Sequence, residues 1–281
     1  MLPICAPPLE ACIESIILGT DNLPAEFPSA RPTAAPAEGR AEQQMRRIVR
    51  DLREMREQRN AAQRSARAAQ REGIRQLLWL AALREAGGIE HCLRVGVLAA
   101  LLARALEQPL AWCDMLFEAA PLHDLGNLGV PDAVLGKPAR LGPEEWQAVR
   151  DHPITGARML AGANNPMGVL AAEIALNHHE RWDGSGYPAR RRGTNIPLAG
   201  RIVAVADFVD SLGFATCHRK ALPTEEVFAL LEFANGVQFD PCVVRAMHEI
   251  RPRLARVREC AAEWALKLAE DIGQPLPWQD I

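Results

Sequence analysis

The chain has 281 residues, enough for one large domain or for a medium domain with an accessory segment. Its 48% apolar and 24% charged residues are ordinary for a folded globular protein, and a formal charge of -3 excludes a polyanion-binding surface spread over the whole chain. Alanine, leucine and arginine dominate while aromatic residues make up only 5%, a bias toward helix.

The seven cysteines (Cys5, Cys12, Cys92, Cys113, Cys217, Cys242 and Cys260) are scattered and form no C-x-x-C pair, which argues against a disulfide framework or a cysteine zinc site. They read as buried free thiols in a reducing compartment. The first residues lack a basic n-region and Glu10 and Glu14 follow soon after, so no signal peptide is expected. No apolar run reaches the roughly 18 residues of a membrane span. The expected location is the cytoplasm.

Residues 1–40 contain seven prolines and read as a mostly disordered segment with a short apolar helix around Cys12–Leu18. From Ala41 to Glu85 only Gly73 interrupts a helical pattern. Met45, Ile48, Leu52 and Met55 form a 3-4 seam that continues more weakly through Ala62, Ala66 and Ala69. That seam suits half of a dimerising coiled coil, or a solvated helix packing one stripe on its own domain. Residues 41–75 carry ten arginines against five acids, interleaved as on a charged helix face, and no DNA binding is expected. Residues 41–86 are therefore read as an arginine-rich helix or linker, and residues 87–281 as the main domain.

Beyond Gly87-Gly88 the pattern predicts compact helices with short Gly/Pro loops: Ile89–Leu106, Trp112–His123, Pro143–Asp151, Pro166–Arg181, Pro197–Leu212, Thr224–Ala234 and Pro241–Leu268, the last interrupted at Pro252. No βαβ alternation is visible, so the core is predicted to be all-α.

Five of the seven histidines sit here beside acidic or paired partners: His91, His123 beside Asp124, His152, and the pair His178-His179. Asp207 lies on an otherwise apolar helix, where a charge is costly unless paired or metal-bound. Taken singly, each histidine reads as an ordinary core or surface residue. Neighbours on a helix point about 100° apart, so a doublet reaches two adjacent ions more easily than one through both side chains. Together these residues offer too many N/O donors for one tetrahedral zinc and suit two six-coordinate ions. The lack of cysteine favours iron or manganese. Two adjacent ions that activate water and neutralise a phosphoryl oxygen point to phosphodiester hydrolysis.

The ordered motifs resemble the HD-GYP group of HD-type metal-dependent phosphohydrolases. His123-Asp124-Leu-Gly-Asn-Leu-Gly-Val-Pro resembles the HD signature and its loop. Leu141 to Ala157, with His152, resembles the next ligand helix. His178-His179-Glu-Arg-Trp-Asp-Gly184-Ser-Gly186-Tyr187-Pro188 resembles the motif that names the group, and Ile196 to Asp207 and Gln238-Phe-Asp-Pro241 follow in order. The resemblance runs from about His91 to Arg251. It implies an HD-type helical bundle and a phosphodiesterase that opens cyclic di-GMP to the linear dinucleotide and on to GMP. The implied metal ligands are His91, His123, Asp124, His152, His178, His179 and Asp207, with Asp124 bridging two divalent ions. Asp124 and Asn127 occupy catalytic positions. Asn127, Gly184, Gly186, Tyr187, Pro188 and Arg219 occupy substrate-binding positions, and the GYP loop is implied to contact a diguanylate cyclase.

Three departures stand out. Gly87 occupies the position where some relatives carry a third-metal glutamate, and Glu90 should point elsewhere, so a two-metal site is expected. Asn127 stands where the family has lysine, and Thr216, in Thr216-Cys217-His218, stands where it has a phosphate-binding arginine. Losing such contacts in a dry site costs on the order of 10²–10³ in rate. The alternatives are therefore a weakened domain that senses nucleotide or binds a partner, or a hydrolase of another phosphorylated nucleotide.

Overall fold

The computed structural model describes residues 36–84, 87–137, 139–162, 165–214, 220–270 and 278–281. Most of the expected disordered segment 1–40, the helix at Cys12–Leu18, and the roles of Thr216 and Arg219 lie outside the described residues, but residues 36–40 already form the start of a helix. Contact clustering divides the chain into two units, 1–70 and 71–281.

Helix α1, Pro36–Ala82, passes through Gly73 without a break. Within the first unit Ile48 and Met55 of the apolar seam are exposed while Val49 is buried. The second unit takes up the helix from Arg71, and Leu78 and Ala81 join its core.

That unit is all-α among the described residues, with one isolated bridge between Asn235 and Phe239. Its axis is α2, Gly88–Ala105, whose residues 91–103 are buried on every side. A helix that is apolar all round belongs in the centre of a fold. Around it stand α3 (Leu110–Ala119), α8 (Leu198–Gly213), α10 (Pro241–Ile250) and α11 (Leu254–Glu270), while α7 (Pro166–Asn177) packs on α3 and α8. Three shorter helices, α4 (Asp132–Leu135), α5 (Pro143–Arg150) and α6 (His152–Leu160), follow the HD loop, and α9 (Thr224–Phe233) precedes α10. Helix starts are marked as the sequence requires. The Asn165 side chain accepts from the Gly168 N–H at 2.8 Å, and Asp240 accepts from Cys242 N–H at 2.8 Å.

Several predicted helices stop sooner. Trp112–His123 ends as α-helix at Ala119 and continues as a 3₁₀ turn, Ala120–Leu122. Pro121 supplies no N–H, which suits it to the first turn of a new element. Pro166–Arg181 ends at Asn177, and α5 and α6 meet at Asp151 instead of running on as one helix. Both histidine doublets therefore sit just beyond helix ends. Cys92, Cys113 and Cys260 are buried thiols, but Cys242 is exposed on the solvent side of the first turn of α10. The buried-thiol reading fails there because burial follows the helix face, not the residue type.

Candidate metal centre

Backbone packing brings the HD loop against α6. A Cβ on Gly126 would run into the His152 carbonyl oxygen, and Gly156 faces Gly126 across the same contact. Only glycine lets the two backbones approach this closely. The result sets Asp124, one turn earlier, beside the His152 ring.

Two groups of donor atoms form, in each of which the atoms lie within 4.8 Å of one another: Asp124, His152, His178 and His179, and His91, His123 and Asp207. All seven residues named from the sequence are thus brought together. The members of His123-Asp124 fall in different groups, and those of His178-His179 share one. The helix has ended at Asn177, so the 100° rule no longer applies, and the two rings lie 4.1 Å apart.

Asp124 faces both ways. Its Oδ1 lies 3.0 Å from His152 Nε2 and 3.1 Å from His178 Nε2, while Oδ2 lies 4.0 Å from His123 Nε2. In the second group His91 Nε2 lies 3.6 Å from Asp207 Oδ1.

The ring orientations fit a metal. His123 Nδ1 lies 3.0 Å from the Ala120 carbonyl, His152 Nδ1 lies 2.6 Å from that of Val149, and His178 Nδ1 lies 3.0 Å from that of Ala175. A carbonyl oxygen only accepts, so Nδ1 carries the ring proton and neutral Nε2 presents a lone pair. The Nε2 atoms of His152 and His178 are 3.3 Å apart with Asp124 Oδ1 beside both. Electron-rich atoms so placed suit a cation between them. His123 Nε2 is buried with no hydrogen-bond partner among the described residues. A buried polar atom left this way is costly unless something unrecorded satisfies it. The donor set, nitrogen and oxygen without sulfur, suits divalent metal ions.

The electrostatics agree. Burial opposes ionisation of Asp124, but its electrostatic coupling to His123 and hydrogen bonds from His152 and His178 overturn it and hold the carboxyl well below the usual range. Burial also opposes protonation of His178, yet bonding to Asp124 raises it, so a proton fills the cation's place in the metal-free chain. Burial, reinforced by the His178 charge, drives His179 well below the usual imidazole value, leaving it neutral and ready to ligate.

Sequence reasoning missed the groups behind these donors. Asp210 is buried, and its carboxylate accepts from Arg94 Nε at 2.7 Å while lying 2.7 Å from His91 Nδ1. The signal was present: Arg94 and Asp210 each follow a donor by three residues on an apolar helix. Ser211 Oγ donates to Asp207 at 2.9 Å. Glu180 is a buried carboxylate accepting from the N–H groups of Ala189 (2.7 Å) and Arg191 (2.9 Å), which ties down the GYP loop. Glu90 turns away from the site to Arg94, and Gly87 has no room for a side chain beside His91.

In the GYP loop Gly184 has φ +83, as a tight turn demands. Gly186 is needed for space instead, since a Cβ would strike the Arg181 backbone. The Tyr187-Pro188 bond is cis, and the Tyr187 ring stacks on His179 at 4.8 Å. Burial and the Asp124 charge push the phenol up to about 12. Asn127 is nearly buried and donates to Asp124 Oδ2 at 3.1 Å.

Comparison with known proteins agrees with this geometry. A family model described as "HD domain" matches residues 47–243. The chain belongs to the HD domain family. Its His178 to Pro188 run is of the HD-GYP type. It is 40% identical over 167 residues to a cyclic di-GMP phosphodiesterase of Thermotoga maritima, covering 59% of this chain and 45% of that protein. A cyclic di-GMP phosphodiesterase of Vibrio cholerae is 41% identical over 152 residues, covering 52% of this chain and 31% of that protein. This chain therefore spans less than half the length of these curated relatives. The crystal structure of a cyclic GMP-AMP specific phosphodiesterase of Vibrio cholerae shares the fold, with TM-score 0.53, 19% identity, and coverage of 70% of this chain and 53% of that one. No helix among the described residues is long and apolar enough to cross a membrane.

Proposed function

We propose that this chain is a metal-dependent phosphodiesterase of cyclic dinucleotides, with cyclic di-GMP as substrate. The observation that carries the reading is Asp124, with one carboxylate oxygen toward each donor group. The names of the relatives point to the same substrate class.

His91, His123 and Asp207 would hold one divalent ion and His152, His178 and His179 the other, with Asp124 shared. Iron or manganese suits these donors. Bound there, the ions supply Lewis acidity and a water nucleophile at neutral pH. The chain's own residues fix the rest. The Ala120, Val149 and Ala175 carbonyls hold three rings in the ligating tautomer. Asp210 does the same from its position behind His91. Tyr187 walls the site over His179 and keeps its phenolic proton. Gly184, Gly186 and Pro188 shape the loop that meets substrate. Further expectations are a diguanylate cyclase partner at the GYP loop, a homodimer through residues 41–75, and a cytoplasmic location.

A second reading, a nucleotide sensor with weak turnover, is favoured by Asn127. One of its amide N–H groups is bonded to Asp124, and the side chain adds no charge toward phosphate. The deciding experiment loads the full chain anaerobically with iron or manganese and follows cyclic di-GMP. Linear product supports the enzyme. Tight binding with metal bound and no product over hours supports the sensor.

A further inference from the structure

Arg150 is the last residue of α5, two positions before His152. At a helix C-terminus a basic residue reads as a partner for the helix dipole, which is why it escapes notice in the sequence. In the fold its guanidinium lies 4.5 Å from the centroid of the Tyr187 ring, and that ring stacks on His179. The cation is therefore two ring contacts from the centre, at the mouth of the site.

Several other basic side chains of this unit are paired with carboxylates. Arg94 is paired with Asp210, Lys137 with Glu145, Arg181 with Asp183 and Arg201 with Asp240. Arg150 makes no ion pair with a carboxylate among the described residues. Asp151, the nearest acid in sequence, instead accepts from Gln147 at 2.9 Å. An aromatic face holds a guanidinium in place without cancelling its charge or occupying its fork of donors. Tyr187 feels the charge of Arg150 and that of Asp124 in opposite senses, so both reach the ring.

A cyclic dinucleotide carries two phosphodiesters, each with one negative charge. Ions in the donor groups would neutralise the phosphate being cut. The other lies across the macrocycle and needs a cation beyond the metals. Asn127 is neutral and engaged with Asp124, so it does not meet that need. We propose that Arg150, poised over Tyr187 at the site mouth, binds the phosphodiester that is not cut, through its free guanidinium fork. This inference rests on the phosphodiesterase reading above.

The test uses the full chain, wild type and with Arg150→Met, Arg150→Gln or Arg150→Lys. Arg150→Met keeps bulk over Tyr187 and removes the charge. Calorimetry measures cyclic di-GMP binding to chelator-treated protein, and steady-state kinetics follows the metal-loaded form. A charge-assisted contact contributes roughly 1.5–3 kcal/mol, about ten- to a hundredfold in affinity. Arg150→Met and Arg150→Gln should raise Kd and KM by that factor, leave kcat within about threefold, preserve metal content and weaken the salt dependence of binding. Arg150→Lys should recover most of the loss. If wild type binds and Arg150→Met binds equally well at low salt, the inference is overturned while the phosphodiesterase reading stands. A wild type that neither binds nor cuts a cyclic dinucleotide overturns both.

Discussion

Arg94 and Asp210 form a buried two-point ion pair, Nε to Oδ1 at 2.7 Å and Nη2 to Oδ2 at 3.1 Å, directly behind His91. Arg94 stands one turn beyond His91 on α2, and Asp210 one turn beyond Asp207 on α8. The Phe214 ring covers the guanidinium at 3.5 Å. One carboxylate thus orients a donor ring and neutralises a buried cation. Asp210→Asn should lower metal affinity about 10- to 100-fold. It should also destabilise the fold by about 3–5 kcal/mol, because Arg94 keeps its charge without a partner. Adding Arg94→Met should restore much of the stability, read in denaturant unfolding, but not the metal affinity.

The two donor groups predict separable metal losses. Substituting His123 with alanine should leave one ion per chain, and so should substituting His179. Asp124→Asn should weaken both, since its carboxylate oxygens face different groups. Elemental analysis after gel filtration gives the stoichiometry. Equal loss from all three variants would mean one indivisible site.

Asn127→Lys should raise turnover of cyclic di-GMP by roughly 10²-fold if the missing ammonium is what limits the rate. The same change removes the Asn127 to Asp124 hydrogen bond. Metal content must therefore be measured alongside activity. An unchanged rate with full metal would place the limitation elsewhere.

Metal capture should strengthen as pH rises. His91 is raised: burial opposes its charge, but the bond to Asp210 and the nearby carboxylates prevail. His178 is raised by Asp124. A raised group holds its proton in the folded, metal-free chain above the ordinary imidazole value, and metal must displace it. Below the raised values each displaced proton makes affinity rise by up to about tenfold per pH unit. Above them the dependence flattens. Their stabilisation of the metal-free fold runs the other way, being full below the unfolded pKa and lost as pH rises through the folded one. His123 and His179 are depressed and already neutral there, so they add no such slope. Calorimetry in buffers of different ionisation enthalpy counts the released protons.

Gly126→Ala should cost more than its size suggests. The added methyl meets the His152 backbone, which cannot rotate away. Overpacking of this kind costs about 1–3 kcal/mol, and separating the HD loop from α6 would pull Asp124 from His152. A lower thermal midpoint with impaired metal binding is expected, whereas Gly162→Ala, in open space, should change little.

The donor set was legible because a buried charge on an apolar helix and repeated histidines are hard to explain in any other way. The all-α class and the placing of α2, α8 and α10 followed from periodicity. The sequence could not show how the helices end. Reading α7 through to Arg181 put His178 and His179 on a helix, whereas the helix ends at Asn177. Asp210 and Glu180 stayed hidden for a different reason. Their partners are 116 and roughly ten residues away, and one of them bonds only to backbone, which leaves no side-chain pattern to read.

The seven donors come from separate stretches of chain: α2, the HD loop, the start of α6, the turn after α7, and α8. Under the proposed ligation each ion is a reversible cross-link joining segments up to 116 positions apart in sequence, as His91 and Asp207 are. Ligand binding to the native state alone stabilises it by about 2.7 kcal/mol at a hundredfold excess over Kd. The lifetime of this domain against proteases should therefore follow the supply of free metal around it, independently of how fast it turns over any nucleotide.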